Sequence, residues 1–143
     1  GHEVVYIARS NTPRVVSIGF HAGARVPAHV VSPGPVLLST LDDAALSKWV
    51  AAHEFAGFTA ATVVDRQSFL RQVRSARTHE FWSSRGLLDA GLCGVAVALK
   101  DRRGQCRAAL GMTLQGVLWS PQRVADELVP ALLQTAQHLR PLI

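Results

Sequence analysis

The alternation of apolar and polar residues is clearest over residues 91–116, where two apolar runs flank a charged turn. The runs GLCGVAVALK and QCRAALGMTLQG are separated by DRRG. Two apolar runs joined by a charged turn that ends in glycine predict a β-hairpin. Pairing Lys100 with Gln105 sets an antiparallel register in which Gly94 lies opposite Gly111.

The predicted hairpin has two unlike faces, because successive side chains of a strand point to opposite sides. One face carries bulky apolar residues and the other carries almost only small ones. A small face on a central hairpin either lets a helix pack closely or forms the floor of a pocket, and the alternation leaves both explanations open. The bulky face comprises Val95, Val97, Leu99, Leu110, Met112 and Leu114, and the small face comprises Gly94, Ala96, Ala98, Ala109, Gly111 and Thr113.

Helix and strand patterns elsewhere place the hairpin within a mixed fold. Strands are predicted at residues 3–9, 14–20 and 79–84, an extended segment at 25–29, and helices at 35–40, 42–53, 66–77 and 121–140. The first two strands are expected to pair with each other. Asp65 is the expected N-cap of the third helix, and Pro130 is expected to kink the last one. Hairpins at both ends with helices between them predict an α+β fold with an antiparallel sheet.

The composition fits one folded domain. The chain has 143 residues, of which 48% are hydrophobic, so it can bury a core. No apolar run is long enough to span a bilayer, and we expect no membrane association and a cytoplasmic location. The first strand would need a neighbour on its other edge. We therefore expect a domain, residues 1–143, that is truncated at its N-terminus.

The net charge of +5 comes from 13 arginines and two lysines. Only the arginines of residues 66–77 cluster, at the spacing of a solvated helix face. No aromatic residues alternate with them to stack bases. Direct DNA binding by this stretch of chain is therefore not expected.

The two cysteines are not expected to form a disulfide. In the predicted register Cys93 faces Met112 and Cys106 faces Leu99, so the two thiols lie far apart along the ladder. Two buried free thiols fit a reducing compartment.

Motifs for catalysis and metal binding are absent from the sequence. The six histidines form no His-x-x-x-His pair, and neither cysteine has an evident activating base. The close carboxylates at residues 42–43 fit helix capping. We therefore expect no catalytic residue, no metal and no cofactor. A small hydrolase or isomerase that uses His29 stays open as an alternative.

A small-molecule pocket fits the residues better than an active site. The small hairpin face would be its floor, and the proline-rich loop at residues 29–34 would supply polar atoms, including those of His29. Arg85, or the helix start at Gly34, would meet a carboxylate on the ligand. Plainer interpretations stand beside these: His29 as a hydrogen-bonded loop histidine and Arg85 as a solvated side chain. A domain that only oligomerises, its small face closed by a helix, is the second alternative.

Three blocks of the sequence resemble the effector-binding domain of IclR-type bacterial transcriptional regulators. The blocks are GHEVVYIAR, GARVPAHVVSPGPVLLSTL and GLCGVAVALKDRRGQCRAALGM, in the family's order and spacing. The resemblance implies a GAF-like domain whose central antiparallel sheet is flanked by helices. It also implies a homodimer or homotetramer that binds a small molecule. DNA would be bound by a separate N-terminal winged helix-turn-helix domain, absent from this chain.

The resemblance also implies a set of pocket residues. The implied apolar wall is Val15, Ile18 and Val26, the implied loop is Val31, Ser32 and Pro33, and the remaining positions are Ser84, Leu92, Gly94, Gly111 and Thr113. Because several of these are small, the pocket is expected to take a ligand larger than a simple oxoacid. The blocks resemble most the regulators of aromatic-acid catabolism. We therefore expect an aromatic or ring-cleavage carboxylate that favours one domain arrangement and so controls DNA binding.

Overall fold

The computed structural model of the protein describes residues 1–10 and 20–143. The predicted strand at residues 14–20 therefore lies almost wholly outside the described residues. The strands are β1 (Glu3–Val5), β2 (Arg25–Pro27), β3 (Trp82–Arg85), β4 (Leu92–Lys100) and β5 (Cys106–Gln115). The α-helices are α1 (Pro33–Leu38), α2 (Asp43–Ala52), α3 (Arg66–His79), α4 (Pro121–Arg123) and α5 (Val129–Leu139).

Within the described ranges, the strands form two antiparallel sheets. In the smaller sheet β1 pairs with β2, so that Val4 lies opposite Val26. In the larger sheet β4 lies between β3 and β5. Helices pack on these sheets, which confirms the predicted α+β fold. No helix of the described residues is long and apolar enough to cross a bilayer.

The β4–β5 hairpin forms as predicted, but its register differs by two residues. Gly94 lies opposite Thr113 rather than Gly111. The predicted register was wrong because the turn is longer, and a register shift at Leu99 and Lys100 absorbs an extra residue. Asp101 holds this turn, since its Oδ1 accepts hydrogen bonds from the backbone N–H groups of residues 103 and 105. A shift of two residues leaves every side chain on its predicted face.

The bulky face of the hairpin packs under the C-terminal helices. Val95 and Val97 are fully buried and form one core with Val124 and Leu132. The helical segment is not uniform, because a π-helical turn at Val124–Leu128 separates α4 from α5. Pro130 is the second residue of α5, next to this turn, and since proline has no N–H to donate, the local irregularity accommodates it.

The small face of the hairpin is met by α1. A 3₁₀ turn at Ala28–Val30 precedes this helix, which begins at Pro33, two residues earlier than predicted. Proline suits the first helical turn, where its missing N–H leaves no hydrogen bond unmade. The chain is tight here, since a Cβ added to Gly34 would lie 1.7 Å from the carbonyl oxygen of Ala28. Only glycine fits at that position.

Helices α2 and α3 begin after the predicted capping residues. Asp42 accepts a hydrogen bond from the N–H of Ala45 at 2.7 Å, and Asp65 caps α3 in the same way. Helix α3 runs two residues past its predicted end, to His79. Glu80 then takes a left-handed backbone conformation, φ 65°, which ends the helix and delays β3 to Trp82.

Candidate functional site

Three residues form a row across the larger sheet on its small face. Ser84 of β3 lies opposite Gly94 of β4, which in turn lies opposite Thr113 of β5. All three residues are half-buried. The row brings two hydroxyl groups to the same side of the sheet, with a glycine between them.

Ser32 lies above this row and contacts it directly. Its Oγ is 2.7 Å from the Oγ of Ser84, within hydrogen-bond distance. A Cβ added to Gly94 would lie 2.8 Å from the same Ser32 oxygen. Ser32 does not cap α1 with its side chain. Its hydroxyl therefore faces the sheet, and the glycine at position 94 makes room for it.

A cleft of about 1320 Å³ opens beside this hydroxyl group pair and continues around the edge strand β5. It reaches Gly111 and Thr113 on the small face and Leu110 and Met112 on the bulky face. That volume exceeds the ~300–1,000 Å³ typical of a site for one small molecule. The candidate site is accordingly the part of the cleft on the small face.

Eight of the thirteen predicted site residues line this cleft. They are Val31, Ser32, Pro33, Ser84, Leu92, Gly94, Gly111 and Thr113. The small face thus meets α1 at one place and borders a cleft at another, so both explanations offered for it are correct in part. Glycine at position 111 also lets β5 lie close to β4, because an added Cβ would lie 2.9 Å from the carbonyl oxygen of Val95.

Five predicted residues are not placed in the cleft. Val15 and Ile18 lie outside the described residues. Val26 is buried beside Val4 in the core and does not line the cleft.

Arg85 is committed to the backbone rather than to the cleft. It follows Ser84 in β3, so strand alternation directs its side chain to the opposite face. There its guanidinium donates hydrogen bonds to the carbonyl oxygens of Gly116 and Trp119. The interpretation of Arg85 as a carboxylate clamp is wrong in this structure, and so is that of a purely solvated side chain. Arg9 and Arg107 are the arginines that line the cleft among the described residues.

His29 is 1% exposed and does not line the cleft. Both of its ring nitrogens are engaged, Nδ1 with His53 at 2.8 Å and Nε2 with the carbonyl oxygen of Ala56 at 2.8 Å. A buried imidazole with both nitrogens engaged cannot also bind a ligand or act as a base. The interpretation as a hydrogen-bonded histidine is therefore the one that fits.

The apolar wall of the site includes residues that the sequence did not single out. The rings of Tyr6 and Phe20 are in tilted contact with centroids 4.8 Å apart, and both residues line the cleft with Leu37 and Leu88. Burial raises the pKa of Tyr6 to about 12, so its hydroxyl stays protonated and can donate a hydrogen bond. Alternation from the buried Val4 was the one signal that placed Tyr6 on an inward face.

The two cysteines are free thiols, as expected. Cys93 lies opposite Leu114 and Cys106 opposite Lys100, at opposite ends of the hairpin. Burial raises the pKa of the Cys93 thiol, although the nearby Arg85 acts in the other direction. Among the described residues, no group of three or more histidine, cysteine or acidic side chains is arranged to hold a metal ion.

Comparison with known proteins gives one consistent result. Residues 1–140 match the family model of the bacterial transcriptional regulator IclR C-terminal domain. The p-hydroxybenzoate hydroxylase transcriptional activator of Acinetobacter baylyi is 35% identical over 147 residues, covering 99% of this chain and 54% of that protein. The chain thus spans about half the length of this curated relative.

Two solved structures are close in fold. A transcriptional regulator from Rhodococcus sp. RHA1 superposes with a TM-score of 0.94 at 26% identity, covering 98% of this chain and 57% of that one. The inducer-binding domain of PobR from Acinetobacter, a double mutant in complex with 3-hydroxybenzoic acid, superposes with a TM-score of 0.92 at 35% identity, covering 99% and 83%. The central antiparallel sheet with flanking helices is therefore the GAF-like fold of effector-binding domains.

Proposed function

The chain belongs to the IclR C-terminal domain family of bacterial transcriptional regulators, and on that premise we propose that it senses a small aromatic carboxylate. The effector would lie on the small face of the sheet, beside the N-terminal turn of α1. The observation that carries this proposal is the Ser32–Ser84 hydroxyl pair, 2.7 Å apart over Gly94, at the border of the cleft.

The chemistry of the site suits a flat ring with polar substituents. Gly111 borders the cleft without a side chain of its own, and Tyr6 and Phe20 supply an aromatic wall. Such a wall favours stacked or edge-on contact with an aromatic ligand. The hydroxyls of Ser32 and Ser84 can donate to a carboxylate or accept from a phenol.

The relatives support an aromatic effector. One is named for p-hydroxybenzoate hydroxylase, and the inducer-binding domain of PobR holds 3-hydroxybenzoic acid. We propose a hydroxybenzoate or a similar ring carboxylate as the effector of this chain. Two arginines, Arg9 and Arg107, and two acidic residues, Glu3 and Asp89, line the cleft, so hydroxyl groups rather than net charge would recognise the carboxylate.

The complete protein would couple effector binding to DNA. Because the chain spans about half of its curated relative, a winged helix-turn-helix domain elsewhere in the protein would contact the operator. The effector would bind one arrangement of the domains more tightly and so shift the population toward it. A cytoplasmic homodimer or homotetramer would suit a regulator that reads two half-sites.

We also propose that the domain includes residues beyond this chain. Strand β1 pairs only with β2, and β5 only with β4, among the described residues. The cleft runs between these two edges, from Glu3–Ser10 to Arg107–Gln115. Open edges of this kind are normally paired or covered. A further strand of the same protein would complete the sheet there.

Neither alternative function is favoured by an observation on this structure. A domain that only oligomerises would have its small face closed by a helix, whereas a cleft borders Gly94 and Gly111. A hydrolase or isomerase that uses His29 would need a ring nitrogen facing substrate, whereas both nitrogens of His29 are hydrogen-bonded inside the protein.

A thermal-shift screen of the full-length protein tests the proposal. Benzoate, 3-hydroxybenzoate, 4-hydroxybenzoate, protocatechuate and an aliphatic acid such as adipate would be compared at millimolar concentration. A ligand at about 100 times its Kd adds roughly 2.7 kcal/mol of stability, which a melting curve resolves. A selective shift with one aromatic acid is the expected result. Equal shifts with all acids, or none, would contradict an aromatic effector.

A further inference from the structure

Three histidines from distant parts of the chain form one continuous hydrogen-bonded chain. The Nδ1 atoms of His2 and His53 are 2.9 Å apart. The Nε2 atom of His53 is 2.8 Å from Nδ1 of His29, whose Nε2 is 2.8 Å from the carbonyl oxygen of Ala56. His2 precedes β1, His29 lies in the 3₁₀ turn before α1, and His53 follows α2. The chain of rings therefore joins three elements that the sequence separates.

The hydrogen bonds fix the tautomer of each neutral ring. A carbonyl oxygen only accepts, so Nε2 of His29 carries its proton and its Nδ1 accepts. Nε2 of His53 must then donate to His29, and Nδ1 of His53 must accept from Nδ1 of His2. One pattern of protons thus satisfies all three bonds, and it runs in a single direction from His2 to Ala56.

The 3₁₀ turn that contains His29 packs tightly against the start of α1. His29 lies in the Ala28–Val30 turn, and the carbonyl oxygen of Ala28 packs so closely on Gly34 that a Cβ there would lie 1.7 Å away. The N–H of Ala28 donates to the carbonyl oxygen of His2 at 3.0 Å. A movement of the turn must therefore move the first turn of α1 and, with it, Ser32.

Aromatic side chains pack around the histidine chain. Trp49 stacks on His2 and His53 with ring centroids 4.7 and 4.3 Å away, and its Nε1 donates to the carbonyl oxygen of Gly1. Phe55 meets both His29 and His53 edge-on. These contacts hold the rings in place and restrict access by water.

We propose that the His2–His53–His29 chain is a positioning network for the effector site, which sets the place of Ser32 over Ser84. The proposal rests on the function proposed above, since it assigns Ser32 to effector contact. His53 is the positioning residue with most control, because it is the only ring bonded to both others.

Two substitutions of His53 separate hydrogen bonding from packing. A glutamine has one donor and one acceptor, so His53→Gln can keep the direction of the bonds without a titrating ring. His53→Leu fills similar space but makes neither bond. His138→Leu, at an exposed position of α5, is the control for the loss of a histidine.

The first measurement needs no effector and uses the full-length protein. Amide hydrogen exchange would be followed at Ala28 and Gly34. Their backbone N–H groups donate to the backbone carbonyl oxygens of His2 and Val31, respectively. His53→Leu is expected to speed exchange at both amides roughly tenfold, as a local loss of bonds does. His53→Gln and His138→Leu are expected to keep the wild-type rates. Unchanged exchange in His53→Leu would overturn the positioning role.

The second measurement is the affinity for 3-hydroxybenzoate and for benzoate by calorimetry. His53→Leu is expected to weaken 3-hydroxybenzoate binding roughly tenfold, the effect of about one hydrogen bond, with His53→Gln restoring it. Equal losses in both variants would overturn the proposal, since only packing would then matter. If the wild-type protein binds neither acid, the proposed function fails while the exchange measurement still decides the network.

Discussion

The Oγ atoms of Ser32 and Ser84 lie 2.7 Å apart, although 52 residues separate them in the sequence. Ser32 comes from the segment before α1, and Ser84 from β3 at the edge of the sheet. Between them lies Gly94, which has no side chain to hold them apart. This contact joins the helical layer to the sheet at the place where we propose that the effector binds.

Removing either serine hydroxyl should weaken effector binding. A hydrogen bond to a charged group contributes about 1.5–3 kcal/mol, so Ser32→Ala or Ser84→Ala should raise the Kd for the preferred acid roughly 10- to 100-fold. Because the hydroxyls share one bond, the double substitution should cost less than the sum of the two single ones. Calorimetry on the four proteins measures this, and Ser47→Ala, at an exposed position of α2, is the control. Fully additive effects would mean that the two hydroxyls act separately.

Gly94→Ala should disturb the Ser32–Ser84 contact from the side of the sheet. The new Cβ would lie 2.8 Å from the Ser32 oxygen, which must move and lose its bond to Ser84. We expect a clear loss of affinity with a small loss of stability, because the atom displaced is the end of a side chain.

The double variant Ser32→Ala with Gly94→Ala provides the test of this mechanism. Without the Ser32 oxygen, the nearest atoms to the new Cβ lie 3.5 Å away or more, at ordinary contact distance. The double variant should therefore bind no worse than Ser32→Ala alone. A further large loss of affinity would show that Gly94 acts in another way.

Gly34→Ala should unfold the domain or destabilise it strongly. The added Cβ would meet the carbonyl oxygen of Ala28 at 1.7 Å, a backbone atom that cannot rotate away. We expect a loss of more than about 3 kcal/mol, the range of severe overpacking. Gly57→Ala is the matched control, because its Cβ would have one neighbour, Val64, at 3.6 Å. Chemical denaturation of both variants measures the difference, and equal stability would refute the tight packing of α1 on the turn.

Stability should fall in mild acid because of His53. Burial, together with the nearby His29 and His2, lowers the pKa of His53 from 6.5 to about 4. The unfolded chain takes up a proton near pH 6.5 and the folded one only near pH 4. The contribution of neutral His53 is therefore complete above pH 6.5 and is lost as the pH falls toward 4.

Melting temperatures between pH 7 and pH 4 measure this effect. His53→Gln should show a shallower decline than the wild-type protein, because glutamine does not titrate. His138→Gln, at an exposed position, should follow the wild-type curve. A decline of the same steepness in His53→Gln would assign the acid sensitivity to other groups.

The sequence predicted the elements and faces of the hairpin because both depend on local alternation. It did not predict the register, since this depends on how Asp101 organises the turn through hydrogen bonds to the backbone at residues 103 and 105. The pattern also predicts the start of α1 two residues late, because prolines are typical of loops, although proline suits the first turn of a helix as well.

The site residues also divide into those that a local sequence pattern predicts and those that depend on tertiary contacts. Positions on the small face were predictable from alternation, and those before α1 from the resemblance. The sequence could not show that Arg85 reaches backbone carbonyls more than 30 residues away, or that His29 meets His53. Such contacts depend on tertiary packing and have no local pattern.

The most direct test of the account is a crystal structure of the full-length protein with 4-hydroxybenzoate or 3-hydroxybenzoate. We expect the ring on the small face of the sheet, over Gly94 and Gly111, with a polar substituent within hydrogen-bond distance of Ser32 or Ser84. A ring bound on the bulky face beside Met112, or outside the cleft, would contradict the central claim.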